Sequence, residues 1–239
     1  MYWTREDQVT VPGSEGVMEL YRRRGDSPNP PPRGWEFAIR VEGRELMNNQ
    51  VHGSEDALAD IACARMAKRD DARVLVGGLG MGFTLAAALR GVGPEGSVTV
   101  AELVPAVVKW NRGDLGAASG RPLDDPRTIV YDGDVQDQIK GKHAEWDAIL
   151  LDVDNGPHGL TRASNDGLYS WEGLEASFKA LREGGILGVW SSVEDNGFTR
   201  RIERAGFGVE VVHVRARGKK GGHRHLVWLG TRGYDAPQS

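Results

Sequence analysis

Three groups of residues in this chain have the types and spacing to act on a small molecule. Gly77-Gly-Leu-Gly-Met-Gly82 follows the apolar run Arg73-Val-Leu-Val-Gly and opens a helical pattern. Glycines at such a bend let backbone approach a ligand, and the helix start offers N–H groups with no intrahelical partner. Glu102 closes the next apolar run, about 20 residues further on, where an acid accepts hydrogen bonds from ribose hydroxyls. Asp134, in Tyr131-Asp-Gly-Asp134, closes the third run, within reach of an adenine amino group. Asp152 closes the fourth, with Asp154, Asn155 and His158 on the segment after it. Acids in this order, each at the carboxyl end of a strand, describe a nucleoside site at the edge of a sheet. Taken singly, each is also a residue type that caps helices. A dinucleotide fingerprint fits poorly. Counting G-x-G-x-x-G from Gly78 puts Phe83 at the third glycine, and counting from Gly80 puts Leu85 there.

The elements that must hold these groups can be read from periodicity. Strands are predicted at Arg73–Gly77, Ser97–Glu102, Thr128–Tyr131, Trp146–Asp152 and Gly185–Ser191. Helices are predicted at Phe83–Leu89, Pro105–Asn111, Val135–Ile139, Leu168–Leu181 and Asn196–Ala205. Near-continuous Val/Ile/Leu strands separated by helices imply a parallel sheet covered on both faces. Val209–Arg215 and His225–Gly230 flank Gly218-Lys-Lys-Gly-Gly222, which predicts a closing antiparallel hairpin. Upstream, Val17–Arg22 and Trp35–Val41 alternate apolar and polar around the proline-rich stretch 27–34. They predict a hairpin or three-stranded sheet in residues 1–53, too small to be stable alone. Residues 54–239 form the larger unit. It begins with a helix for which Ser54 is the expected N-cap, with Leu58, Ile61, Ala62 and Met66 on one face.

Composition narrows the class. A chain of 239 residues with 39% hydrophobic and 27% charged residues has ordinary globular composition and can bury a core without staples. One cysteine, Cys63, excludes an intramolecular disulfide and a multi-cysteine zinc site, so no metal is expected. No apolar run approaches the roughly 20 residues that span a bilayer, and the first residues lack a signal peptide's apolar stretch. The expectation is a soluble, cytoplasmic protein. A net charge of −4 gives no general attraction to nucleic acid or to a membrane surface. The basic run Arg215, Arg217, Lys219, Lys220, His223, Arg224 and His225 reads as a solvated turn, and Cys63 as inert core.

With these motifs in view, the chain resembles the spermidine synthase group, the aminopropyltransferases, among class I S-adenosylmethionine-dependent transferases. The resemblance rests on Gly77–Gly82, on Glu102 in Val100-Ala-Glu-Leu-Val-Pro-Ala, on Asp132-Gly-Asp134 and on Leu151-Asp-Val-Asp-Asn-Gly-Pro157. It is supported by Arg40-Val-Glu-Gly-Arg-Glu-Leu-Met, Leu168-Tyr-Ser170 and Leu181–Leu187. The fold this implies is α/β and Rossmann-like: a parallel sheet with a C-terminal antiparallel hairpin, preceded by the small N-terminal β unit. The resemblance also implies a homodimer. It makes Asp152 a general base or the group orienting an amine, with Asp154 and Asn155 lining the acceptor pocket. Gln50 falls where the family places a glutamine that contacts the cofactor. His158 has an ordinary pKa suited to proton transfer near neutrality. His52 and Glu55 are expected to reach the pocket from above, and Tyr169 and Trp171 are aromatics able to stack on substrate or to serve as core or rim.

Two departures bear on the reaction. The family carries an aspartate in the glycine loop that holds the amine of decarboxylated S-adenosylmethionine, and Gly80 stands there in this chain. Asn155 stands where a second aspartate grips the diamine. Losing an acid near the tail removes a repulsion of about 1 kcal/mol or more for the carboxylate of intact S-adenosylmethionine. The reading is therefore a transferase using intact S-adenosylmethionine, with methyl transfer to a small-molecule acceptor. One alternative is aminopropyl transfer from decarboxylated S-adenosylmethionine. A second is a non-catalytic nucleoside-binding or assembly protein.

Overall fold

Apolar runs without polar alternation have to bury both faces, and a seven-stranded sheet does this here. In a computed structural model, residues 2–26, 34–153, 166–218 and 221–233 are described. The order of elements is β1 (Thr4–Thr10), β2 (Val17–Arg24), β3 (Trp35–Val41), β4 (Arg44–Asn48), α1 (Gly53–Arg65), β5 (Arg73–Gly77), α2 (Phe83–Gly91), β6 (Ser97–Glu102) and α3 (Pro105–Arg112). Then come β7 (Thr128–Asp132), β8 (Trp146–Leu151), α4 (Asp166–Tyr169), α5 (Trp171–Ala180), β9 (Leu181–Ser191), α6 (Asn196–Arg204), β10 (Gly208–Arg215) and β11 (Arg224–Thr231). The large sheet runs β10-β11-β9-β8-β5-β6-β7. Strands β5 to β9 are parallel, and β10 and β11 are antiparallel.

Side chains alternate between two apolar layers. Val74, Val76, Ala148 and Leu150 pack into the layer of α1, α2 and α3. Leu75, Ile149 and Leu151 pack into the layer of α5 and α6. From β5 the chain builds outward through β6 and β7, then returns to the other side of β5 with β8. That reversal opens a crevice beyond the carboxyl ends of β5 and β8, the place where open α/β sheets receive ligands.

A second, four-stranded antiparallel sheet, β1-β2-β3-β4, covers this end of the molecule. Its Leu20, Phe37 and Ile39 join the same apolar cluster as Leu58 of α1 and Leu79 of the glycine loop. The unit has one more strand than the hairpin or three-stranded sheet expected. Thr4–Thr10 is mostly polar and exposed, so as an edge strand it shows no apolar period.

Other boundaries move by a few residues for local reasons. The helix expected over Leu168–Leu181 breaks at Ser170, whose side chain accepts from Gly173 N–H and caps α5. The expected helix Val135–Ile139 is a short 3-10 turn, Val135–Gln138, capped by Asp134. Ser54 is not the cap of α1: His52 holds that position without a side-chain bond, and the Ser54 hydroxyl turns inward. No helix among the described residues is long and apolar enough to cross a membrane.

One buried acid ties the back of the sheet together. Asp147 on β8 is 1% exposed. It accepts from Arg69 Nε at 2.7 Å, an Arg182 guanidinium nitrogen at 3.0 Å and Arg73 N–H at 2.8 Å. Removing it leaves the largely buried Arg182 with only the longer contact to Asp71 at 3.7 Å and takes the ion pair from Arg69. Asp147→Ala is expected to cost about 3 kcal/mol, measured as a lowered urea midpoint at unchanged slope.

Candidate active site

The bend after β5 brings backbone and acids together. Gly78 has φ +89°, and a Cβ there would lie 2.5 Å from the Asp152 carbonyl oxygen, so only glycine fits. Gly78 N–H bonds Ala101 O at 2.9 Å, and Asp152 N–H bonds Gly77 O at 3.0 Å. These contacts lock the ends of β5, β6 and β8 against one another. Glu102 ends β6, 8% exposed, and both its oxygens accept from backbone: Oε2 from Leu79 N–H at 2.9 Å, Oε1 from Val104 N–H at 2.8 Å. Burial raises the Glu102 carboxyl above its ordinary range, against the pull of the Val104, Leu79, Gly80 and Leu103 amides.

A cavity of about 570 Å³ lies between this bend and the N-terminal sheet. Gly78, Gly80, Glu102, Asp134, Asp152 and Glu55 line it from the large sheet and α1, while Met18, Ile39, Leu46 and Met47 line it from the N-terminal sheet. Glu15 and Glu42 stand exposed at its mouth. Among the described residues, then, six carboxyl groups face the cavity, and no lysine, arginine or histidine does.

Asp152 and Glu55 form a half-buried acid pair. Asp152 Oδ2 accepts from the Thr84 hydroxyl at 2.5 Å, and Glu55 Oε2 from the Ser54 hydroxyl at 2.6 Å. Burial, and next the Glu55 charge, push the Asp152 carboxyl up to about 7. Burial raises Glu55 as well. Two like charges in one pocket share their titration, so one proton stays on the pair near neutrality.

Several residues singled out in the sequence stand elsewhere. Gly77 and Gly82 shape the bend without lining the cavity. Gln50 is exposed and faces a separate surface depression, because its N–H is turned back to Asn48 Oδ1 at 2.9 Å. His52 also misses the cavity. Its ring stacks on Phe83 at 3.9 Å, and its Nδ1 lies 2.7 Å from Asp56 Oδ2, a contact that raises its pKa. Tyr169 is core: 4% exposed, edge-on to Phe198 at 5.6 Å, its hydroxyl bonded to Val153 O. Trp171 is an exposed rim residue. Asp134 lines the cavity and also caps the turn after β7 through Gln136 N–H at 2.9 Å, so the site and capping roles coexist. Asp154, Asn155 and His158 lie outside the described residues, as do Lys219 and Lys220. Among the described residues no cluster of three or more His, Cys, Asp or Glu is placed to hold a metal ion.

No family model matches the chain. It is 30% identical over 135 residues to the polyamine aminopropyltransferase of Korarchaeum cryptofilum (strain OPF8), a match covering 56% of this chain and 40% of that protein. The chain thus spans less than half the length of that curated relative. A spermidine synthase solved with the transition state analogue AdoDATO superposes with a TM-score of 0.70 at 18% identity, covering 97% of this chain and 73% of the other. The Thermotoga maritima spermidine synthase gives 0.68 at 17%, with the same coverage. A probable spermidine synthase from Corynebacterium glutamicum ATCC 13032 gives 0.59 at 17%, covering 95% and 79%. The chain has the spermidine synthase fold.

Within this fold, sequence reading missed Thr84, Met47 and Trp190. Thr84 was visible as the one hydroxyl in the otherwise apolar start of α2, Phe83-Thr-Leu-Ala-Ala-Ala. Met47 gave no signal, because only tertiary packing lays it over the glycine loop. Its Cε and Sδ come within 2.8 and 2.9 Å of where a Cβ on Gly80 would stand.

The raised Asp152 carboxyl has a consequence for stability. Folded Asp152 titrates near 7, against about 4 in an unfolded chain. The folded protein keeps the extra proton between those values, so this group's contribution to stability falls as pH rises from about 4 to about 7. Asp152→Asn is expected to raise Tm by at least about 4 °C at pH 8 and to give no gain at pH 4, read by calorimetric melting.

Proposed function

We propose that this protein is an aminopropyltransferase-type enzyme. It moves an alkyl group from a sulfonium nucleoside, decarboxylated S-adenosylmethionine, to an amine. The single observation that carries this reading is the charge of the cavity: six carboxyls and no cation among its described lining residues. Such a wall draws in cations and raises their local concentration. Decarboxylated S-adenosylmethionine carries a sulfonium and an ammonium, and a polyamine acceptor carries several ammonium groups. Intact S-adenosylmethionine would bring a carboxylate into a pocket whose described walls offer it no counter-ion.

Roles follow from position. Glu102, pinned by two amides, is oriented to take ribose hydroxyls, and Asp134 stands at the next strand end for the adenine amino group. Glu55 holds an ammonium of the acceptor. Asp152, half-ionised near neutrality, removes the proton from the attacking nitrogen. A sulfonium donor supplies an already activated carbon, so the protein contributes mainly alignment and proton removal. Residues 1–53 act as the roof of the site and residues 54–239 as the transferase unit, and the resemblance assigns Asp154, Asn155 and His158 to the acceptor. The resemblance that suggests a homodimer extends to this proposal.

A second reading, methyl transfer from intact S-adenosylmethionine, is favoured by one feature. Gly80 stands where the resemblance places a carboxylate, and the Met47 thioether fills that space. The charge of the remaining wall outweighs it, since one acid lost leaves six. Isothermal titration decides between them: decarboxylated S-adenosylmethionine is expected to bind at least tenfold tighter than the intact form, and the reverse order would replace the first reading by the second. With the decarboxylated donor and a diamine, kcat is expected to rise with pH through about 7 as Asp152 ionises, and Asp152→Asn is expected to lose at least a hundredfold in kcat. A flat profile would remove Asp152 as the base.

A further inference from the structure

A polar chain leads away from the acid pair through residues that do not line the cavity. Ser54 is 1% exposed, and its hydroxyl donates to Glu55 Oε2 at 2.6 Å. Ser54 Oγ also lies 2.9 Å from Nδ1 of His225 on β11. A hydroxyl has one proton to give, so with Glu55 ionised Ser54 must accept from His225 Nδ1–H. The geometry is held from three elements. Gly53 N–H, at the start of α1, bonds Ala216 O of the β10–β11 hairpin at 2.8 Å. Trp190 of β9 meets the His225 ring edge-on at 4.8 Å. His225 is itself only partly buried, at the outer end of a chain whose inner end is Glu55. Charged and titratable groups facing this path are Asp152 at the end of β8, His52 and Asp56 on α1, and His223 in the β10–β11 hairpin.

The reaction proposed above, on which this inference rests, releases a proton at each turnover into a pocket that substrates fill. We propose that Ser54 and His225 form a proton relay that carries to solvent the proton taken up by the Asp152–Glu55 pair. With the proton on Glu55 Oε2, it passes to the Ser54 oxygen, the Ser54 hydroxyl proton passes to Nδ1 of His225, and Nε2–H is given to water. No heavy-atom bond changes, and one proton leaves for each one that enters. The ring, left as Nδ1–H, regains its Nε2–H tautomer by rotating about Cβ–Cγ to present Nδ1–H to water, exchanging protons there at both nitrogens and rotating back. Burial lowers the pKa of His225, which favours rapid release from the imidazolium. Neither residue touches the reacting atoms, so both act through Glu55.

Two measurements test the relay. Histidine-labelled NMR of the ligand-free protein at pH 8.5 should find His225 as the Nδ1–H tautomer, moving to Nε2–H in Ser54→Ala. An Nε2–H ring in the wild type, or a tautomer that ignores the substitution, overturns the proposal. In the transfer assay, His225→Ala should lower kcat at least tenfold with KM unchanged, and added imidazole should restore it. A loss that imidazole does not rescue marks a merely structural role and also overturns the relay. If Ser54→Ala does not fold, Glu55→Gln supplies the tautomer comparison. A protein inactive with every sulfonium donor would refute the reaction instead, while the tautomer, read without ligand, still decides the hydrogen-bonded path.

Discussion

Like charges gathered in one cavity must be neutralised or they push the walls apart. Two unit charges 4 Å apart repel by about 4 kcal/mol at the effective dielectric of a protein surface. Six carboxyls share this cavity, and each of the four inner ones has a device that offsets the cost. Glu102 takes two backbone amides. Asp134 takes the amide of Gln136. Asp152 and Glu55 each take a hydroxyl, from Thr84 and Ser54, and hold a proton between them near neutrality. Basic side chains do not contribute among the described lining residues, which is the feature on which the proposed cationic ligand rests.

The two sheets divide this work. The parallel sheet supplies the acids, because each lies where a buried strand ends and the chain turns to a helix. The reversal between β5 and β8 puts those ends side by side, and Gly77 pairs with Leu151 across it. The N-terminal sheet supplies the apolar roof. Met47 and Gly80 meet where the roof touches the floor, and their contact takes up the room that a carboxylate on the loop would need. The result is a site of the spermidine synthase fold with Gly80 lying under Met47 on its glycine loop and a pair of acids at its inner end.

The chemistry follows from that division. In the proposed reaction a sulfonium donor needs little activation, so the protein's contribution would lie in bringing an amine in line and taking away its proton. An acid that titrates near 7 suits the second task, and its raised proton affinity comes from burial and from Glu55, both consequences of packing α1 against the end of β8. The stability lost by keeping this pair half-buried is borne by the apolar layers on either side of the sheet and by the Asp147 cluster at its other end.

Local chemistry made much of this legible in the residues alone. The buried parallel strands, the glycine bend, Glu102, Asp134 and Asp152 all declare themselves through runs of Val, Ile and Leu that end in glycine or acid. Charged Thr4–Thr10 gives no such sign because an edge strand needs no apolar period, and Gln50 and His52 stand away from the cavity while Tyr169 takes the core place open to it, because a side chain's direction depends on its neighbours. The loss of an acid at Gly80 argued for intact S-adenosylmethionine when it was weighed by itself, and the charge of the whole wall argues the other way. By itself the sequence determined which residues end the strands, hence the class of fold and the place of the crevice at those ends, since periodicity and backbone freedom act within a few residues. Tertiary structure alone decided that Glu55 joins Asp152, that Met47 covers Gly80 and that His225 reaches Ser54, because charge, volume and proton paths depend on groups far apart in the chain.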